Sequence, residues 1–311
     1  DWECAERWFS IKMGEKRSPS TIENYRRILN RHLLPFFGDK KIARIKADDI
    51  QIFFNSLMHL SASMSVQSRA VLSGIFEWAS RNDIIDKNPM QYHYEKSSRK
   101  KEKVVLQDED LVRVIQQIDE IRSTGDIRDY LYVCFLCFTA FRRGEILGLK
   151  WGDIDFENDE IIVRNSITFP DGANEPFIGA PKDGSFGVVH LQSGLKERIQ
   201  QYAKKPGMYV IPNSEEHPDS PITKSMFIKM WRRINKTIDL KGATSHSFRA
   251  TYATMMNAHC SHIDVKALQG ALRHKTPDLA IKVYTKENNS KTIRAEKEYD
   301  EWIQSQLKQA L

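Results

Sequence analysis

The chain has 311 residues, enough to bury more than one substantial core, and its length leads us to expect two domains. Its 41% hydrophobic and 28% charged residues suit an ordinary globular protein, and its longest apolar run, 130–141, is too short to cross a bilayer. The formal charge of +6 is uneven: residues 1–106 hold 19 Lys and Arg against 13 Asp and Glu, while 107–311 hold 28 of each, so the surplus sits where a polyanion would meet it.

The first third reads as helices. Ser20 and Glu23 form a capping-box pattern ahead of Ile22, Tyr25, Ile28, Leu29, Leu33 and Phe36 at helical spacing, a segment that Pro35 and Gly38 should close. Asp48 can cap a helix carrying Ile50, Phe53, Phe54 and Leu57. A third helix runs through VQSRAVLSGIFEWAS and stops before Asn88-Pro89. The charged, aperiodic EKSSRKKEK at 95–103 reads as a linker and domain boundary.

Past it, LQDEDLVRVIQQID and the apolar run 130–141 read as helices, with Arg142 ending the second. EIIVRNSITF and FGVVHL read as strands joined by a Pro/Gly-rich excursion over 170–186, MYVIP as a short strand, and helices dominate thereafter. Four cysteines, Cys4, Cys134, Cys137 and Cys260, include one C-x-x-C on the apolar run with no second ligand pair, and HCSH at 259–262 has no distant partners. Core thiols in a reducing, cytoplasmic setting are therefore expected rather than a metal site. No leader pattern opens the chain; it begins at Asp1 rather than Met, so we expect a piece of a longer product.

Polar residues recur at the edges of these apolar segments. Arg142 follows the apolar run in TAFRRGEILGLKWGDID, and Lys182 lies in the hairpin APKDGS. His246 and Arg249, three apart in TSHSFRATYATMM, share one face at the head of a helix whose Phe248, Tyr252, Ala253, Met255 and Met256 can bury. His274 and Tyr284 bracket HKTPDLAIKVY, where Thr276 and Pro277 suit a cap and first turn. Singly, each has a bland reading as a snorkelling, solvated or packing side chain. Together they compose one chemistry. Two guanidinium forks can grip a phosphodiester and stabilise its transition state, a phenol can attack phosphorus, a lysine can protonate the departing alkoxide, and imidazoles can position protons.

The order R…K…H-x-x-R…H…Y resembles the tyrosine site-specific recombinases, the phage integrase family. The three stretches TAFRRGEILGLKWGDID, TSHSFRATYATMM and LRHKTPDLAIKVYT resemble its arginine box, H-x-x-R box and His-to-Tyr box, and FEWASRNDIIDKNP extends the likeness over nearly the whole chain. The resemblance implies that Arg142, set three before the acid Glu145, and Arg249 clamp the phosphate, that Lys182 is the general acid, that His246 and His274 contact the phosphate or relay protons, and that Tyr284 is the nucleophile. Glu145 would hold an arginine rather than act on substrate. Ala140, Ala250 and Arg273 stand where the family usually has Gly, often His and commonly Gly.

The implied architecture is a two-domain clamp on duplex DNA. An all-α core-binding domain spans 1–95, a linker 96–103, and a catalytic domain, mainly α with a small β-sheet, 104–311 with a tail helix over 291–311. The implied reaction is strand cleavage and exchange through a 3′-phosphotyrosine. Transesterification conserves bond energy, so no nucleotide or metal cofactor is expected, and no P-loop pattern is present. Lys224, Lys229, Arg232, Arg233 and Lys236, on a helix beginning near Thr223, are candidate DNA contacts. Tyr299, Trp302, Ile303, Leu307, Ala310 and Leu311 form an apolar stripe behind the polar KENNSK, expected to dock into a neighbouring subunit of a dimer or tetramer on DNA. Accessory DNA-bending or directionality proteins are further expected partners, and a membrane is not. Integration or excision of a phage or conjugative transposon is the expected role. Alternatives are a chromosome-dimer resolvase, a type IB topoisomerase, or a noncatalytic DNA-binding protein on the same scaffold.

Overall fold

The structure, a computed structural model, describes residues 2–15, 19–60, 62–91, 104–123, 125–170, 172–260 and 264–273. The linker 96–103, the pair His274 and Tyr284, and the tail 291–311 lie outside the described residues. The chain divides into two compact units, Asp1–Glu102 with Pro170–Ala173, and Lys103–Phe169 with Asn174–Leu311.

The first unit is helical among its described residues, with α1 (Glu3–Gly14), α2 (Pro19–Ile28), α3 (Leu34–Phe37), α4 (Ala47–Ser56) and α5 (Ala62–Arg81). Its core gathers Trp8, Leu33, Phe37, Phe53, Leu72 and Phe76, and Trp2 stacks on Phe37 at 5.4 Å. Two local expectations are corrected here. Pro35 does not end a helix but lies inside α3, because the wider π turn Leu29–Leu33 ahead of it accommodates a residue without an N–H. Gly38 does close the segment, donating its N–H to Leu34 O at 2.8 Å. The α4 cap is Asp49 rather than Asp48, its Oδ2 accepting the Lys46 N–H at 3.0 Å.

The second unit adds α6 (Asp108–Ser123), α7 (Ile127–Phe138), α8 (Arg143–Leu147), β1 (Ile154–Asp155), β2 (Glu160–Val163), β3 (Ser166–Thr168), β4 (Phe177–Gly179), β5 (Gly187–His190), α9 (Ser193–Ile199), α10 (Lys224–Thr237), α11 (Ser245–His259) and α12 (Val265–Ala271). A mainly helical body with small antiparallel sheets is thus the observed class. Every residue of α7 from Asp129 to Cys137 is buried, which is where a helix apolar on all sides must go. Cys134 and Cys137 lie in that core, and burial pushes the Cys134 thiol up to about 12, far from reactive thiolate.

β1, β2 and β5 form one antiparallel sheet, with Ile161 opposite Val189; β3 and β4 form a second, with Ile167 opposite Ile178. The stretch 160–169 is therefore two strands in different sheets, and the excursion 170–186 contains β4. MYVIP forms no strand. Tyr209 and Pro212 make only isolated bridges to Lys150 and Pro221, because the flanking N–H groups are satisfied singly by Leu149 and Pro218 carbonyls. Among the described residues no helix is long and apolar enough to cross a membrane.

Candidate active site

Arg142 does not end the apolar helix. Thr139 leaves helical geometry at φ −134°, ψ 156°, and its hydroxyl donates to Phe135 O at 2.6 Å, so α7 stops at Phe138. Residues 139–142 then cross to α8, with Arg142 as its N-cap. Glu145, three residues on, accepts the Arg142 N–H at 2.9 Å through Oε2 and Arg142 Nη1 at 2.7 Å through Oε1. One carboxylate thereby caps the helix and holds the guanidinium. Gly144 allows this turn to lie against β3, since a Cβ there would clash with the Ile167 carbonyl oxygen.

Arg249 reaches the same carboxylate from α11. Thr244 and Ser247 form the capping box of that helix, and the Tyr132 and Ser245 hydroxyls meet at 2.8 Å, tying its first turn to α7. Arg249 points inward with 1% of its side chain exposed, donating to the carbonyls of Ala140 and Leu272, and its Nη1 lies 3.9 Å from Glu145 Oε2. Among the described residues its Nε has no partner. His246, one turn earlier, is exposed.

A third guanidinium arrives from Arg273, just past α12. Its Nη2 donates to Glu145 Oε2, its carbon centre sits 4.7 Å above the Phe141 ring, and its side chain is 6% exposed. Three arginines thus surround a single carboxylate whose own side chain is 0% exposed. Three positive charges against one negative leave a surplus of two, with Arg249 and Arg273 almost wholly buried and Arg142 half-buried. Burial first, then repulsion from Arg142, with Glu145 opposing and Arg273 adding to it, pushes the Arg249 guanidinium down to about 9. An arrangement of that kind is completed by an anion.

Lys182 is exposed in the single turn Lys182–Gly184 between β4 and β5. Three residues on, the buried Ser185 accepts Arg142 Nη1 at 2.9 Å and so tethers that loop to the arginine cluster. Ser185 carried no signal in the sequence, since a serine after a hairpin glycine is ordinary. Arg273 was visible only as a charge where glycine is common. His274 follows it directly, but the positions of His274 and Tyr284 are outside the described residues.

On α10, Lys229, Arg232 and Lys236 are exposed opposite the buried Phe227, Met230 and Ile234, while Lys224 is half-buried at the first position. Arg233 is engaged differently. It forms a fork on Asp129, at 2.7 and 2.6 Å, and reaches Asp126 at 2.8 Å.

Comparison with known proteins gives a consistent result. The phage integrase family description matches residues 104–291, and that of the phage integrase N-terminal SAM-like domain matches 3–58. The chain is 25% identical over 250 residues to the ICEBs1 integrase of Bacillus subtilis (strain 168), covering 76% of this chain and 66% of that protein. Its fold is similar to that of the Tn1549 transposon integrase in complex with a circular intermediate DNA, with a TM-score of 0.73 at 21% identity over 95% of this chain and 99% of that one. It is also similar to a lambda integrase tetramer bound to a Holliday junction, with a TM-score of 0.68 at 16% identity over 90% and 76%.

Proposed function

The chain belongs to the phage integrase family and is a tyrosine recombinase, and on that premise we propose that it cleaves and rejoins duplex DNA at specific sites to integrate or excise a mobile element. The observation that carries this reading is the buried cluster of Arg142, Arg249 and Arg273 around Glu145, which has positive charge to spare for a phosphodiester. Arg142 and Arg249 grip the nonbridging oxygens, and their fixed donors act most strongly on the extra charge of the pentacovalent transition state. The Tyr284 hydroxyl passes its proton to His246 or His274 as its oxygen attacks phosphorus, the bond to O5′ breaks, and Lys182 Nζ gives its proton to the departing O5′. His246 and His274 hold the phosphate or pass protons. The product is a 3′-phosphotyrosine with a free 5′-hydroxyl, and attack by a second 5′-hydroxyl reverses the step on a new strand.

The basic first unit and the exposed face Lys229, Arg232 and Lys236 supply phosphate contacts whose strength falls with salt. The segment 291–311 docks into a neighbouring subunit, so that dimers or tetramers form on paired sites in the cytoplasm of a bacterium. Integrases of similar fold include a dimer on a core site and a tetramer on a Holliday junction, which supports assembly of this kind.

The test uses nicked duplexes drawn from a genomic library, which trap a covalent complex when the short 5′ fragment diffuses away. Sequencing the trapped ends yields the target site. Tyr284→Phe should bind that site as the wild type does and trap nothing. Trapping by the phenylalanine variant would move the nucleophile elsewhere, with Tyr252, whose hydroxyl accepts Gln192 Nε2 at 3.1 Å, the first to examine.

A further inference from the structure

The mechanism above leaves Arg273 unused, although it is built into the cluster as firmly as the other two arginines. Its aliphatic stem passes Gly187, where a Cβ would stand 3.2 Å from Arg273 Cδ, and its guanidinium carbon lies over the Phe141 ring. Nη2 is committed to Glu145, yet among the described residues Nε and Nη1 have no partner although the side chain is more than nine-tenths buried. The backbone is at φ +48°, left-handed geometry that glycine adopts freely and an arginine does not. Two orphaned donors on a buried cation, carried by a strained residue, point to a ligand that the protein alone does not supply.

We propose that Arg273 is a third phosphate-binding guanidinium, with Nη1 donating to the scissile phosphate while Nη2 remains on Glu145. The inference rests on the recombinase reading and deepens it. Charge gives the physical reason. Arg142 and Arg249 with Glu145 leave one positive charge, which matches the phosphodiester in its ground state. Adding Arg273 leaves two, which matches the doubly negative pentacovalent phosphorane. Interactions that strengthen between those states accelerate the reaction, whereas those that serve both equally only tighten binding. Arg273 therefore belongs to the rate, not to DNA affinity.

The test compares the wild type with R273G, R273Q and R273K on the nicked duplex recovered by the trapping selection, reading single-turnover cleavage, DNA affinity and thermal stability together. R273G and R273Q should lose roughly 10²-fold in cleavage, with the loss of one oxyanion donor as the guide, while Kd stays within about two-fold. R273K, which keeps the charge but not the fork, should cleave faster than R273Q. R273G should melt higher than the wild type, because it releases both the strained backbone and the like-charge crowding. The proposal is overturned if R273Q cleaves at the wild-type rate, or if its loss is shared equally by binding. A lowered melting temperature in R273G together with equal rates for R273K and R273Q would overturn it too, making the residue structural. A wild type that traps no complex on any duplex overturns the recombinase reading and this proposal with it; a trapping wild type beside an unaffected R273Q overturns this proposal alone.

Discussion

Arg249 shows how a single residue joins burial to function. Burial first, then repulsion from Arg142, lowers its guanidinium to about 9, so from there up to the ordinary arginine range the unfolded chain holds more protons than the folded one. Stability from this group therefore rises with pH across that window, and the cost of its buried charge is fully present below it. An anion binds the charged form and offsets that cost. Sulfate should accordingly raise the melting temperature by a constant amount below about pH 9 and by a shrinking amount above it, as the free site loses its proton. Melting with and without sulfate at about pH 7.5 and about pH 10 checks this. An unchanged sulfate effect at the higher pH would remove Arg249 as the titrating group.

At the scale of elements, α10 separates charges that serve the fold from charges that remain available. Lys229, Arg232 and Lys236 fall on the face opposite Phe227, Met230 and Ile234, with nothing apolar to cover. Arg233 instead neutralises Asp129, which is buried at the start of α7 and whose carboxyl burial pushes up while Arg233 pulls it back. Alanine at Lys229, Arg232 or Lys236 should weaken binding alike across DNA sequences and reduce the salt slope by about one each. Arg233→Ala should instead lower stability by about 1–2 kcal/mol, since it strips a buried carboxylate of its partner. Salt-titrated binding and urea unfolding distinguish the two. A stability loss at Lys229, or a lost salt-slope unit without destabilisation at Arg233, would reverse the assignment.

At the scale of the molecule, two units with separate cores share the work. The first is rich in positive charge and the second holds the arginine cluster. The stripe Tyr299, Trp302, Ile303, Leu307, Ala310 and Leu311 is more apolar than a solvated tail should be, which is the ground for proposing that it docks into a neighbour. Deleting 291–311 should leave single-site binding intact while abolishing cooperative assembly on paired sites, read by ultracentrifugation and gel shift. A truncated protein that assembles as before, or that no longer folds, would place the stripe on its own unit.

What could be read without coordinates was whatever depends on short separations along the chain. The three-residue step from Arg142 to Glu145 and from His246 to Arg249, the all-round apolarity of α7 and the amphipathic α10 follow from helical periodicity, which the order of residues carries directly. Periodicity was weakest where local bonds compete: Thr139 ended α7 three residues before its apolar run stopped, and a π turn carried a helix through Pro35. The tertiary structure alone decided which charges share Glu145. Arg273 meets it from 128 residues away and Ser185 meets Arg142 from 43, and no local spacing encodes such encounters. They exist because folding removes the water that would have screened them, which makes one carboxylate the point toward which three arginines turn.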